Sequence, residues 1–243
     1  MDYIYQLILM FFIYSFGGWI VEVIFTRIFE THKFVNRGFL TGPICPIYGF
    51  GAIFVVIFLT KYMSSPIVLY FMSIVIASIL EYTTSYIMEK VFKNRWWDYS
   101  QYKYNINGRI CLETMIPFGF LALFMMYILN PFILNTLDTM PDNVIKYSAI
   151  TLSILTIIDI ILSFNIIITL KNISSNIRCD STEAITKKVK EILFSKTIFH
   201  RRLIESFPDM KVFNKRIILK NKINKDKEKL KQEKKKTKEK RKK

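Results

Sequence analysis

Histidine occurs only twice and cysteine only three times in the 243 residues. Cys45, Cys111 and Cys179 form no CxxC pair, and His32 and His200 are each more than ten residues from the nearest cysteine. Neither a disulfide framework nor a zinc site is therefore expected, and no metal or other cofactor. A GxxxxGK[ST] loop is also missing, so the chain does not bind ATP in the P-loop manner. No Lys, Arg or His falls deep inside any long apolar run. Any acid buried in those runs must find its partner at their ends.

Hydrophobic residues make up 51% of the chain, yet the formal net charge is +16. The two figures are compatible because charge is segregated. Residues 1–170 hold ten Lys/Arg and ten Asp/Glu, while residues 171–243 hold twenty-five and nine, so the excess (25 − 9) lies wholly in the tail. That partition describes a membrane domain followed by a basic tail. Three regions are expected: a transmembrane domain over 1–171, a cytoplasmic amphipathic helical region over 172–219, and a disordered Lys-rich tail over 220–243.

A helix needs about 20 mostly apolar residues to span a bilayer. Five stretches qualify, at 4–28, 39–60, 66–91, 110–134 and 144–170. The first carries Asp2 in place of a basic n-region and has no small-residue cleavage site, so it reads as a retained helix. Basic residues collect after the first span (Arg27, Lys33, Arg37) and after the third (Lys90, Lys93, Arg95, Lys103, Arg109). The positive-inside rule then puts the N-terminus outside and the C-terminus in the cytoplasm. The expected fold class is an all-α polytopic membrane protein of five transmembrane helices, in the cytoplasmic membrane.

Beyond Lys171, Asp180 and Glu183 resemble a capping arrangement, and Ile185, Val189, Ile192 and Leu193 recur at helical spacing. Two readings stand side by side: a helix packed on the membrane domain, or one lying on anionic lipid. From Lys220 the chain is too charged to build a core. Anionic headgroups are its expected contact, ahead of nucleic acid.

Glu22, Glu81, Glu89, Glu113 and Asp159 all fall within expected spans. An ionised carboxylate in hydrocarbon costs about 2.5–3.5 kcal/mol on insertion scales, so such residues face a bundle interior and are candidates for function. Glu89 and Glu113 lie near the cytoplasmic ends, where water solvates them. Glu22 and Glu81 lie about two turns deeper, and Asp159 sits among isoleucines and needs a proton or a partner.

The stretch Glu81–Arg109 concentrates the chemistry, with Glu81 and Glu89 in an apolar helix, then Arg95, Trp96, Trp97 and Asp98, then Asn105, Asn107 and Arg109 around an Asn-Gly turn. Arg37, Arg95 and Arg109 are the nearest cations to the deep acids, and a bidentate pair is the natural arrangement. The expectation is a half-buried cytoplasmic pocket with acids above and arginines at its rim. Glu22, Arg37, Glu81, Glu89, Arg95, Trp96, Trp97, Asp98, Asn105, Asn107 and Arg109 are its candidate residues. Trp at a membrane boundary also needs no function beyond anchoring.

IVEVIFT around Glu22 is echoed by ILEYTTS around Glu81, and each is followed by a basic loop, an Asn and Gly, and a cysteine. Two parallel hairpin repeats are one reading, with Glu22 and Glu81 pseudo-equivalent across a shared axis; coincidence between Ile-rich segments is the other. The second span opens with GFLTGPICPIYGFG, whose Pro43, Pro46, Gly42, Gly49 and Gly51 leave two readings open: a broken helix start beside the pocket, or a plain N-terminal proline before a normal helix. Irregular backbone at membrane depth survives only inside protein or beside a cavity.

NRGFLTGPICPIYGFG (36–51), LEYTTSYIMEKVFKNRWWDYS (80–100) and NINGRICL (105–112) together resemble the bacterial family of ABC-transporter type IV, or CmpB-like, permeases. FHRRLIESFP (199–208) is similar to a tail element of that family. The resemblance spans roughly 5–170 and implies a multi-pass permease. A clear Glu-Ala-Ala coupling motif is missing, and five spans are few for a lone transporter. A separate ATPase subunit or self-association is then required. Two other functions remain open: an intramembrane enzyme that binds a phosphorylated headgroup through its arginines, and a non-catalytic scaffold working through its tail.

Overall fold

Inside a bilayer these apolar runs satisfy their backbone only as helices, and helix dominates the computed structural model. It describes residues 3–32, 34–92, 94–176, 182–195, 197–207 and 210–212. In order, the helices are α1 (Tyr3–Phe25), α2 (Pro46–Leu59), α3 (Pro66–Phe92), α4 (Leu112–Phe124), α5 (Asn130–Asp138), α6 (Asp142–Asn176), α7 (Thr182–Phe194) and α8 (Ile198–Ser206). A π-turn, Met125–Leu129, joins α4 to α5 without a break, so the two act as one long helix. Four helical stretches are long and apolar enough to cross a membrane: Tyr3–Ile28, Pro66–Phe92, Leu112–Asp138 and Asp142–Leu170.

The expected span over 39–60 comes out differently. Its apolar helix runs only over Pro46–Tyr62. At 1.5 Å per residue that is roughly 25 Å, less than the roughly 30 Å of a hydrocarbon core. Proline explains the start: Pro46 sits in the first turn, where its missing N–H costs nothing and its fixed φ suits the helix. Residues 34–45 form a non-helical strap instead.

Two apolar cores lie at opposite ends of the bundle. One gathers Met10, Leu59, Leu69, Met126, Ile145 and Ala149 from α1, α2, α3, the α4–α5 join and α6. The other gathers Phe92, Trp96, Ile167, Leu170, Leu203 and Met210. Ile185, Val189 and Leu193 of α7 are fully buried in this second core. Of the two readings of that amphipathic segment, packing against the membrane domain is the observed one, and Ile192 is left exposed. Phe39 of the strap packs edge-on against Trp96 and Phe164, with ring centroids 5.6 and 6.2 Å away. Glu81 lies between Leu69 and Phe92 along α3, and Asp159 lies between Ala149 and Ile167 along α6. The deep acids thus occupy the layer between the two cores.

Two minimal ladders complete the fold. β1 (Asn94–Arg95) pairs with β4 (Lys211–Val212), and β2 (Asn105–Ile106) pairs with β3 (Ile110–Cys111), both antiparallel. The Lys-rich tail over 220–243 lies outside the described residues.

Candidate functional site

The loop between α3 and α4 is built by the residues that drew notice in the sequence. Asn107 (φ 54°) and Gly108 (φ 67°) both adopt left-handed backbone, as a type I′ turn requires. A Cβ on Gly108 would also sit 2.5 Å from Asp98 Oδ1. Asn105 accepts from the Gly108 amide at 2.8 Å, and Asn107 donates to the Tyr82 hydroxyl at 2.9 Å. The Trp97 indole N–H donates to the Arg109 carbonyl at 3.1 Å. Both asparagines and Trp97 therefore shape the turn and pin it to α3.

Glu89 is the electrostatic centre of this loop. Arg95 Nε and Arg109 Nη2 reach its Oε2 at 2.9 and 3.1 Å. Arg95 also approaches Asp98 at 3.5 Å, and Asp98 accepts from the Ser100 amide and hydroxyl. Arg109 is buried, donates to Ser85 Oγ at 3.2 Å, and lies over the rings of Tyr82 and Tyr86 at 5.7 and 5.5 Å. Charge-assisted bonds of this kind are short and strong. They direct two nitrogens of each guanidinium within the loop and to α3.

The deep acids consequently have other company. Glu22 accepts from the Tyr48 hydroxyl at 2.6 Å, while Glu81 is buried with its Oε2 lacking a hydrogen-bond partner among the described residues. The expected carboxylate–arginine contact forms at Glu89 and not at these deeper acids. Burial, and after it the Glu81 charge, keeps the Tyr99 phenol well above its ordinary range, so it stays a donor. Glu22 thus sits with Tyr48 at the contact of α1 and α2, and Glu81 is buried on α3.

The packing of the two hairpins that carry these acids is duplicated. A Cβ on Gly49 of α2 would run into Phe11 and Ser15 of α1; a Cβ on Gly119 of α4 would run into Tyr70 and Ile74 of α3. The interval from Phe11 to Tyr70 is also that from Ser15 to Ile74 and from Glu22 to Glu81. Each hairpin closes on a glycine set against the same turn of its partner helix. The residues just before those glycines, Tyr48 and Phe118, face each other edge to ring at 6.2 Å. Gly18 lets this arrangement form, since a Cβ there would lie 2.6 Å from Tyr48 Cδ2.

Asp159 has found its partner in the strap. It accepts from the Gly42 amide at 2.8 Å, the Thr41 amide at 3.0 Å and the Thr41 hydroxyl. A Cβ at Gly42 would approach it to 2.9 Å. The Cys45 amide donates to the Ser15 carbonyl at 3.0 Å, so the strap enters the bundle to the depth of mid-α1. Asp159 thus answers backbone donors that a helix would have satisfied itself.

Two expected site residues lie elsewhere. Arg37 bonds Thr26 Oγ1 at 2.7 Å and the Ser206 carbonyl at 2.8 Å, fastening α8 to the strap. Trp96, 2% exposed, is part of the second core, against Phe207. Sequence reasoning passed over Tyr48 and Tyr99, although both stand inside the blocks quoted above. A tyrosine near a membrane boundary carries no mark that separates an acid's partner from an interfacial anchor.

These features describe a mostly helical protein with four helices long and apolar enough to cross a membrane, consistent with a multi-pass membrane protein. The family model described as "Putative ABC-transporter type IV" matches residues 9–164, and the chain belongs to that family. Neither the curated proteins nor the solved structures include a match to it.

Proposed function

We propose that this chain is the membrane-embedded subunit of a transporter, with its path passing Glu22 and Glu81 between two parallel hairpin repeats, α1–α2 and α3–α4. The loops and α7–α8 are cytoplasmic in this reading, and the N-terminus is outside. Energy comes from a separate ATPase subunit, since the chain carries no P-loop, and self-association supplies the remaining wall of the path. The basic tail rests on anionic headgroups.

One observation carries the reading: in a chain of a transporter family, the carboxylates of Glu22 and Glu81 lie within apolar helices with no ion pair among the described residues, and Glu22 takes a phenol instead. Membrane acids so placed mark substrate and ion pathways. The enzyme alternative is less favoured, because the charges of Arg95 and Arg109 are already paired with Glu89, and a phosphate would have to compete with it. Glu81→Gln tests the proposal in a strain lacking the chain. The variant inserts normally and fails to restore the deletion phenotype, whereas full complementation by Glu81→Gln and Glu22→Gln together refutes it. Purification from native membranes without any co-eluting ATP hydrolysis removes the ATPase partner.

A further inference from the structure

The corner where α7 turns into α8 is apolar on its outer side as well as its inner one. Inward, Ile185, Val189, Leu193, Leu203 and Ile204 are buried in the second core. Outward, Ile198 is 84% and Phe199 57% exposed, and Ile192 and Phe194 are exposed in the same short stretch. Phe194 and the start of α8 also meet in space. The Arg201 guanidinium lies over the Phe194 ring at 4.4 Å, and Arg201 stands one turn along α8 from Ile198. An exposed apolar patch with a polar rim marks a contact with membrane or protein.

Height and charge favour the membrane. The second core contains Phe92 and Leu170, the residues at which the apolar stretches Pro66–Phe92 and Asp142–Leu170 end. A helix with its side chains is about 10–12 Å across, so helices packed directly on those residues stand at the height of the headgroups. Residues 182–207 carry six Lys/Arg against three Glu, a net +3 (6 − 3). Lys187 and Lys188 are exposed, and Arg201 pairs with Glu205 at 3.0 Å with both side chains about half exposed. Apolar side chains beside basic ones are the composition of a segment lying in an anionic interface. Arg201 suits that place, since its stem can stay in the apolar layer while its head reaches water and phosphate.

We propose that the α7–α8 corner is a lipid contact, with Phe194, Ile198 and Phe199 entering the headgroup layer of the leaflet on that side and the basic residues of the segment drawing it to anionic lipid. The inner face of α7 keeps its place in the protein core, so the two helices are held from both sides. α8 also grips the strap, where Arg37 Nη1 donates to the Ser206 carbonyl at 2.8 Å and Arg202 Nη2 to the Gly38 carbonyl at 3.1 Å. The corner therefore ties the strap to the bilayer surface through α8. This contact does not depend on what the chain transports.

The test uses the full chain in nanodiscs of phosphatidylcholine and phosphatidylglycerol. A genetically encoded fluorescent amino acid replaces Phe199 or, as the control, Glu183, an exposed acid in the first turn of α7. Both positions are exposed, so neither replacement disturbs the core. Lipids brominated at successive acyl positions quench the fluorophore according to its depth. At position 199 it lies about 5–10 Å into the headgroup–acyl boundary, and at position 183 it stays in water. Phe194→Ser combined with Ile198→Ser brings the position-199 fluorophore back toward water. A fluorophore in water at position 199 leaves the corner to a protein partner and overturns the proposal. Equal depth at position 183 shows the fluorophore seeking lipid by itself, and overturns it too. An unchanged depth in the double Ser variant removes Phe194 and Ile198 from the contact and refutes the patch.

Discussion

Replacing Arg109 by Met keeps the aliphatic stem and removes the guanidinium, which isolates its electrostatic work. The side chain is 9% exposed and its partner Glu89 26%, so the pair is screened much less than one on an open surface. Three contributions are lost: the ion pair at 3.1 Å, the bond to Ser85 at 3.2 Å, and the positions over Tyr82 and Tyr86. A hydrogen bond to a charged group contributes about 1.5–3 kcal/mol, and each cation–π contact at a partly exposed site about 0.5–1 kcal/mol. Glu89 retains Arg95 at 2.9 Å, so the full penalty of a stranded buried charge does not apply. The Trp97 bond uses the Arg109 backbone and survives. The expected loss is about 2–4 kcal/mol. SDS or urea titration of the detergent-solubilised protein, followed by tryptophan fluorescence, measures it. Arg109→Lys recovers part of the loss by one point-charge contact. If Arg109→Met unfolds within about 0.5 kcal/mol of wild type, a margin typical of inert surface substitutions, the network does not hold the loop to α3. Tyr99 is then positioned by something else.

Asp159→Ala strands the amide of Gly42, at about 1–3 kcal/mol, and leaves that of Thr41 only Ser163 Oγ at 3.2 Å, and the strap loosens. In a background with Cys111 and Cys179 replaced by Ser, maleimide labelling of buried Cys45 speeds up markedly; an unchanged rate refutes the anchoring role. Leu193→Ala removes a fully buried contact of α7 and costs about 2–5 kcal/mol. Limited proteolysis then releases α7 and α8 before the membrane helices, whereas a wild-type digestion pattern would place α7 on lipid.

Much of the fold is legible in the chain because hydrocarbon imposes a simple rule. Long apolar runs must be helices, and four of the five stretches appear as such. The fifth shows the limit. Its hydropathy reads as a span, but Gly42, Pro43 and Pro46 interrupt the ladder, and Asp159 and Ser163, more than a hundred residues away, answer the amides left open. The Asn-Gly turn was readable for a local reason: positive φ at consecutive positions selects those residues. The partner of Glu22 was not. Choosing between a phenol and a guanidinium depends on which donors other acids have already taken, and that competition is settled in three dimensions.

By itself the sequence determined the class of protein, the segregation of its charge, and the presence of acids too costly to face lipid, because solvation in a bilayer depends on composition over a short window. The tertiary structure alone decided where those acids point. It turned Arg95 and Arg109 to Glu89, gave the Glu22 carboxylate to Tyr48, and spent Asp159 on a strap. Hydrogen bonding is directional and saturable, so partners cannot be assigned until every competing donor has its place.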